Sequence, residues 1–89
     1  MLIPIFTRQF NKDLKKAIKS GKNQQKIMDI MEKLVNEEQL EKKFKDHKLQ
    51  GEFKNRRECH IEPDWLLVYK ISANEIIFER TGSHSELFK

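Results

Sequence analysis

With 89 residues, of which 37% are hydrophobic, the chain can form one domain spanning residues 1–89. It cannot also enclose a large cofactor, so any active site should lie in a shallow surface groove. Lysine and arginine outnumber aspartate and glutamate by 18 to 14, which favours a polyanionic partner. The only cysteine is Cys59, which excludes an internal disulfide, and no stretch approaches the roughly 18 apolar residues of a membrane span, so we predict a cytoplasmic protein.

The N-terminal half is predicted to contain one strand and two helices. The segment "LIPIF" favours a strand that Pro4 confines to a sheet edge, because proline has no backbone N–H for the ladder. Thr7 is predicted to cap a first helix that Gly21 ends, and the second helix follows with a short break. After Asn36 the periodicity fades, so either a long connection follows or the second helix continues toward Lys42. Apolar residues recur at helical spacing in both segments: Phe10, Leu14, Ala17 and Ile18, then Ile27, Ile30, Met31, Leu34 and Val35.

A stripe of lysines lies opposite the apolar face of the first helix: Lys12, Lys15, Lys16 and Lys19. Such a stripe is ordinarily just solvated surface. Its functional interpretation is contact with RNA phosphates, which would position the protein without reading sequence.

Beyond Gly51 the pattern changes to three strands of an antiparallel meander. The segment "RRECHI" alternates, with Cys59 and Ile61 on one side and Glu58 and His60 on the other. "EPD" supplies a turn, "WLLVYKI" is apolar on both faces as in a central strand, and "NEIIFERTG" is the third strand. We therefore predict an α+β two-layer domain whose helices cover one face of the sheet, and we expect the tail "SHSELFK" to have little structure of its own.

Three histidines, His47, His60 and His84, lie in the C-terminal half. Imidazole exchanges protons near neutral pH, and an arginine such as Arg80 can neutralise a phosphate. Groups of these types suit cleavage of RNA, whose own 2′-hydroxyl is the nucleophile, since the protein then supplies only a base, an acid and positive charge. In a meander, His60 and Arg80 can share the face that the helices leave uncovered.

Each of the other candidate residues also has a structural interpretation. Asp64 suits a turn after proline, and Arg80 could pair with Glu58 across strands. Trp65 could belong to the core or stack on a base, and Phe88 could be a packing residue or a base platform.

A metal site is the main rival chemistry, with Cys59, His47, His60 and His84 as ligands. Adjacent residues of a strand point to opposite faces, so Cys59 and His60 cannot easily bind one ion, and no CxxC or HxxxH spacing occurs. We predict no metal ligand.

Three ordered motifs together resemble the YafQ branch of the RelE-type toxins, the toxin halves of bacterial type II toxin–antitoxin pairs. The resemblance covers essentially the whole chain and implies a RelE-like fold. Lys48 and Phe53 depart from it, where relatives often have proline and tryptophan. The motifs are "KDHKLQG" at 45–51, "RECHIEPDWLLVYK" at 57–70 and "ERTGSHSELF" at 79–88.

The resemblance implies a metal-independent endoribonuclease, without a cofactor, that enters the ribosomal A site and cuts translated messenger RNA. It implies that His84 is the general acid and that His47, His60 and Asp64 share activation of the 2′-hydroxyl and orientation of the phosphate. Arg80 would bind phosphate, Phe88 would lie near the RNA, and Glu58 falls where this branch carries an acidic residue. The implied partners are an acidic antitoxin, the ribosome, and operator DNA through the antitoxin complex only.

Two alternatives remain open from the sequence. A ParE-like poison of DNA gyrase would use the same scaffold, although that branch lacks the histidine set. A plain nucleic-acid-binding module would bind RNA or DNA without cleaving it.

Overall fold

The computed structural model describes residues 1–51 and 55–88 and contains a five-stranded sheet in the order β1-β5-β4-β3-β2. Two helices pack on one face, which confirms the predicted α+β two-layer class. Phe53 lies outside the described residues. The elements are β1 (Ile3–Phe6), α1 (Arg8–Lys19), α2 (Gln24–Val35), a 3-10 turn (Lys42–Phe44), β2 (His47–Lys48), β3 (Arg57–Glu62), β4 (Trp65–Ser72), β5 (Glu75–Gly82) and α3 (His84–Leu87).

Strand β1 lies at the sheet edge, as Pro4 predicts, and pairs in parallel with β5 from Ile3↔Glu75 to Phe6↔Phe78. The chain then turns into α1 at Thr7, whose side-chain oxygen accepts a hydrogen bond from the backbone N–H of Phe10 at 2.9 Å. This is the predicted N-cap, and it satisfies one of the helix's free donors.

The hydrophobic core lies between the helices and the sheet. Cys59 and Ile61 of β3 point into it, whereas Glu58 and His60 alternate to the other face, so the predicted alternation is confirmed. Strand β4 is central, between β3 and β5. The core comprises Leu2, Phe10, Ile27, Ile30, Met31, Leu34, Leu40, Cys59, Ile61, Trp65, Leu67, Tyr69, Ile76 and Phe78.

Helix α2 ends at Val35 and does not continue toward Lys42. The backbone of Glu37 takes a positive φ of 59°, and its N–H donates to the carbonyl oxygen of Leu34 at 3.1 Å. A left-handed residue in this position terminates the helix, so the alternative of a longer helix is wrong.

Two short elements extend the predicted fold. Strand β2 adds to the meander through the pair His47↔Glu58. The tail forms α3, in which Ser83 and Glu86 make a reciprocal capping box, so the expectation of an unstructured tail is wrong. No helix of the described chain is both long and apolar enough to cross a membrane.

Candidate active site

Strand register determines which polar side chains share the face that the helices leave uncovered. His60 lies opposite Leu66, and Glu58 lies opposite Val68, which in turn pairs with Arg80. Because neighbouring residues across a sheet point to the same side, His60, Glu58 and Arg80 belong to one face.

The three histidines meet at one end of this face. The ring centroids of His47 and His60 are 6.2 Å apart, and those of His60 and His84 are 5.6 Å apart. The ring of Phe88 lies 6.5 Å from that of His84. His60 is therefore the middle member, and within the described residues its ring nitrogens make no hydrogen bond.

His84 is oriented by Asp64 at the preceding turn. One carboxylate oxygen, Oδ1, accepts from the backbone N–H of His84 at 3.0 Å and lies 2.8 Å from its ring Nδ1. A carboxylate oxygen only accepts, so Nδ1 carries hydrogen and Nε2 is the nitrogen left to exchange a proton. The backbone and then the ring hydrogen bond from His84 hold the pKa of Asp64 below its ordinary value.

His47 and Glu58 share a proton. The Nδ1 of His47 lies 2.6 Å from the carbonyl oxygen of Lys45, which only accepts, so this nitrogen carries hydrogen. The Nε2 of His47 faces the Oε2 of Glu58 at 3.1 Å, and two lone pairs would repel there. One further proton must lie between them, on the ring or on the carboxyl group.

The other oxygen of Glu58, Oε1, is buried and has no hydrogen-bond partner among the described residues. A buried carboxylate oxygen without a partner is costly. When the shared proton lies on the ring of His47, the carboxylate places negative charge beneath the histidine cluster, where it can stabilise imidazolium rings.

The segment carrying His47 is held by an anchor that local sequence patterns could not predict. The hydroxyl of Tyr69 donates to Asp46 Oδ1 at 2.5 Å, and Arg57 lies 3.3 Å from Asp46 Oδ2. Burial, then the bond to Asp46, raises the pKa of the Tyr69 phenol, which remains a neutral donor. Asp46 is adjacent to His47 in the chain, so this contact fixes the backbone just before the histidine.

Arg80 pairs with Asp13 of α1 and not with Glu58. Its Nε donates to Asp13 Oδ2 at 2.7 Å, and the same oxygen accepts from the backbone N–H of Thr81 at 3.2 Å. Asp13 reaches this N–H because β1 ends opposite Phe78 and leaves the edge of β5 free beyond it. The guanidinium keeps further N–H groups for a phosphate.

Residues 4–89 match the family model described as "Bacterial toxin of type II toxin-antitoxin system, YafQ". The chain belongs to the YafQ family. The mRNA interferase toxin YafQ of Escherichia coli (strain K12) is 43% identical over 84 residues, covering 93% of this chain and 91% of the relative.

Solved structures of toxins are similar to the whole chain. YafQ in the E. coli DinJ–YafQ complex has a TM-score of 0.93 at 40% identity and 100% coverage of both chains. A copper-bound mutant toxin from Helicobacter pylori has a TM-score of 0.95 at 41% identity, covering 99% of this chain and 100% of that chain. The resemblance of the three motifs to the YafQ branch is thus confirmed.

The remaining candidate residues of this YafQ-family chain are dispersed. Trp65 is 1% exposed, and its indole N–H donates to Thr81 Oγ1 at 3.0 Å, so it belongs to the core and presents no free face to a base. Lys16 pairs with Glu86 at 2.7 Å, whereas Lys12, Lys15 and Lys19 are exposed on α1.

Within residues 1–51 and 55–88, one group of side chains could hold a metal ion. Ligand atoms of Glu58, His60 and His84 lie within 4.8 Å of one another, and imidazole and carboxylate suit zinc or copper. Cys59 lies on the opposite, helix-covered face, where burial raises the pKa of its thiol. The four-residue set with Cys59 is therefore not assembled.

Proposed function

We propose that this protein is the toxin of a type II toxin–antitoxin pair and an endoribonuclease that cuts messenger RNA on the ribosome. Membership of the YafQ family and the similarity to an mRNA interferase support the assignment. The observation that carries it is the meeting of His47, His60 and His84 around one point, with Asp64 and Glu58 oriented toward them.

His60 is the proposed general base. It lies between the other two histidines, and both its ring nitrogens are free of hydrogen bonds to the described residues. In the neutral form it accepts the proton of the 2′-hydroxyl as the 2′-oxygen bonds to phosphorus. Glu58 lies close enough to stabilise the imidazolium that forms.

His84 is the proposed general acid. Asp64 fixes its Nδ1–H, so Nε2 points its proton outward and donates it to the 5′-oxygen as the P–O5′ bond breaks. The products are a 2′,3′-cyclic phosphate and a free 5′-hydroxyl. Water then returns a proton to His84 and removes one from His60. Acid–base transfer of this kind contributes about 10²–10⁴ in rate.

Positive charge around the phosphorane would come from two directions. His47 is a cation beside His60 when the proton that it shares with Glu58 lies on its ring, and Arg80 approaches from the edge held by Asp13. Phe88, beside His84, would contact the nucleotide of the leaving group.

The reaction is proposed to be metal-independent, since the nucleophile belongs to the RNA and the acid and base are side chains. A metal on His60 and His84 would occupy the lone pairs that transfer protons. We expect cleavage to persist in excess EDTA and to fall when copper is added. Loss of activity in EDTA, restored by one particular ion, would show that the metal takes part.

The partners and the cellular site of action that we propose follow from membership of the YafQ family. An acidic antitoxin would neutralise the toxin, as the DinJ–YafQ complex suggests by its existence in E. coli. Operator DNA would be bound only by the toxin–antitoxin complex. The site of action would be the cytoplasm, where the ribosome and its messenger RNA are found.

Mapping of cut sites on translated and untranslated copies of one transcript tests the proposal. The protein should produce cuts in phase with codons on the translated copy only. His84→Ala should abolish them while antitoxin binding persists, and Ser85→Ala on the same helix should retain them. Full cleavage by His84→Ala removes the proposed acid, and DNA damage without RNA cuts would indicate a gyrase poison instead.

A further inference from the structure

A groove leads away from the histidine cluster along the outer edge of β3. It has a volume of about 810 Å³ and lies between α2, the 3-10 turn and β3. His60 and His84 are both part of its lining, so a ligand that fills the groove reaches the reacting groups. Among the described residues, strand β2 pairs with Arg57 and Glu58, and from there to the turn the outer edge of β3 has no strand partner.

The groove is basic because lysines from separate elements line it. Lys26 and Lys33 come from α2, and Lys43 and Lys45 from the 3-10 turn and its end. Two acidic residues also line it, Asp29 and Glu62.

Two of the four lysines are already neutralised, and two are not. Lys26 pairs with Glu62 at 2.9 Å, and Lys43 lies 3.8 Å from Glu41. The hydrogen bonds from Lys26 and Lys22 hold the pKa of Glu62 below its ordinary value. Both oxygens of this carboxylate are therefore already paired with lysines. Within residues 1–51 and 55–88, Lys33 and Lys45 have no ion pair.

A second cavity, of about 450 Å³, lies on the other side of the His84–Asp64 contact. Its lining includes Asp64, Arg80 and Lys12. His84 lines the first groove and its partner Asp64 lines the second. The proposed acid therefore stands between two depressions, as an enzyme needs if its polymeric substrate continues on both sides of the broken bond.

We propose that the groove along β3 binds the ribose–phosphate chain of the RNA on one side of the cleaved linkage, with Lys33 and Lys45 contacting phosphates. Phe44 of the same lining packs against the core and has the Lys43 ammonium 5.1 Å from its ring centroid, so it forms part of the groove wall. The proposal rests on the proposed function and names a substrate-binding surface for it. RNA is favoured over an acidic peptide because the groove ends at the reacting histidines, which a substrate must touch and an inhibitor need not.

The test is binding of a single-stranded RNA in which every 2′-hydroxyl is methylated, so that it cannot be cleaved. Affinity is measured by fluorescence anisotropy over a range of salt concentrations for Lys33→Gln/Lys45→Gln and for Arg8→Gln/Lys42→Gln. The control pair removes the same charge from exposed residues, at the start of α1 and of the 3-10 turn, that line neither cavity in the described part of the chain. Each phosphate contact contributes about 0.7 to the salt slope for a single strand, so the groove variant should lose about 1.4 and the control nothing.

Equal salt slopes for the groove and control variants with long RNA would overturn the proposal. So would loss of antitoxin binding by the groove variant with unchanged RNA affinity, since the groove would then be a protein-docking surface.

Failure of this proposal is distinguishable from failure of the proposed function. If the parent cuts translated messenger RNA and the groove variant binds RNA as the control does, the function stands and the groove assignment falls. If His84→Ala still cuts, the proposed chemistry falls whatever the groove binds.

Discussion

The imidazole of His84 and the carboxylate of Asp64 form an exposed pair, with side chains 55% and 68% accessible. Solvent screens an exposed charged pair, so this contact adds little to the stability of the fold. It nevertheless matters for catalysis, because Asp64 places negative charge beside the ring of the proposed acid and fixes which ring nitrogen faces the RNA.

Asp64→Asn tests this role. The amide keeps the shape but not the charge, so the ring of the proposed acid loses the negative charge beside it. The alkaline limb of the kcat profile should therefore move to lower pH, as measured by cleavage rates across pH. An unchanged profile with a raised KM alone would make Asp64 a binding residue and not the partner of the acid.

Tyr69→Phe tests the anchor at Asp46. Removing the hydroxyl deletes one hydrogen bond, so the free energy of unfolding should fall by about 1 kcal/mol. Tyr69 is buried and cannot touch RNA, so kcat should fall through displacement of His47 while KM stays the same. Steady-state kinetics and urea unfolding measure the two effects.

Ile76→Val is the matched control for that change. It removes one methylene from a fully buried residue, costs about 0.5–1.5 kcal/mol and touches no polar group of the site. If it lowers kcat as much as Tyr69→Phe does, general loss of stability explains both and the anchor has no positioning role.

At the scale of elements, the one-turn helix α3 places His84, although a helix of four residues has little stability of its own. Three contacts hold it: the Ser83–Glu86 capping box, the Asp64 carboxylate, and the ion pair from Lys16 to Glu86. Lys16, predicted from the sequence to contact phosphate, thus stabilises the helix that carries His84.

Glu86→Gln should remove a pH-dependent part of the stability. The bond from Lys16, followed by the bonds from Ser83, lowers the pKa of Glu86 from 4.5 to about 2. Its ionised form therefore stabilises the folded state above pH 4.5, and this contribution is lost as the pH falls toward about 2.

Urea unfolding at several pH values measures this effect. The difference in the free energy of unfolding between parent and variant should be constant above about pH 5 and vanish toward pH 2. A difference that is independent of pH down to that point would mean that the charge of Glu86 contributes nothing.

Local patterns predicted the elements whose determinants are close in sequence. Alternation in "RRECHI" separated His60 from Cys59, and Thr7 and Pro4 marked the start of α1 and the edge strand. The segment "SHSE" has the sequence pattern of a capping box, so helix α3 could also have been predicted. A helix this short is easily missed in a sequence pattern. Helix α2 ends at the left-handed residue Glu37, and because this residue is not a glycine, the sequence carries no clear signal for the end of the helix.

Long-range contacts could not be predicted in this way. Asp13 and Arg80 are 67 residues apart, and Asp46 and Tyr69 are 23 apart. Their pairing depends on where β1 stops and on how β2 joins the sheet. The burial of Trp65 depends likewise on Thr81 from another strand. The convergence of the histidines was predictable only in outline, from the meander.

At the scale of the whole molecule, the two edges of the sheet differ. At one edge, strand β2 is only two residues long and the groove lies beside it. At the other edge, strand β1 exposes apolar side chains: Ile3 is 52% exposed and Phe6 is 47% exposed. An exposed apolar edge strand favours association between chains.

Ile3→Lys should therefore reduce self-association of the isolated protein without changing cleavage, because Ile3 pairs with Glu75, at the end of β5 that is remote from Arg80 and His84. Sedimentation velocity at increasing concentration measures the first effect, and cut-site mapping the second. Equal association of parent and variant would show that β1 is not a contact between copies.

The burial of Cys59 has a practical consequence. Its thiol is enclosed by the core and its pKa is raised, so maleimide reagents should leave it unmodified while the fold is intact. A second cysteine at an exposed position such as Lys19 could then carry a fluorophore selectively in the native background. Distances from that dye to labelled ribosomes or antitoxin would become measurable without replacing any residue of the interior.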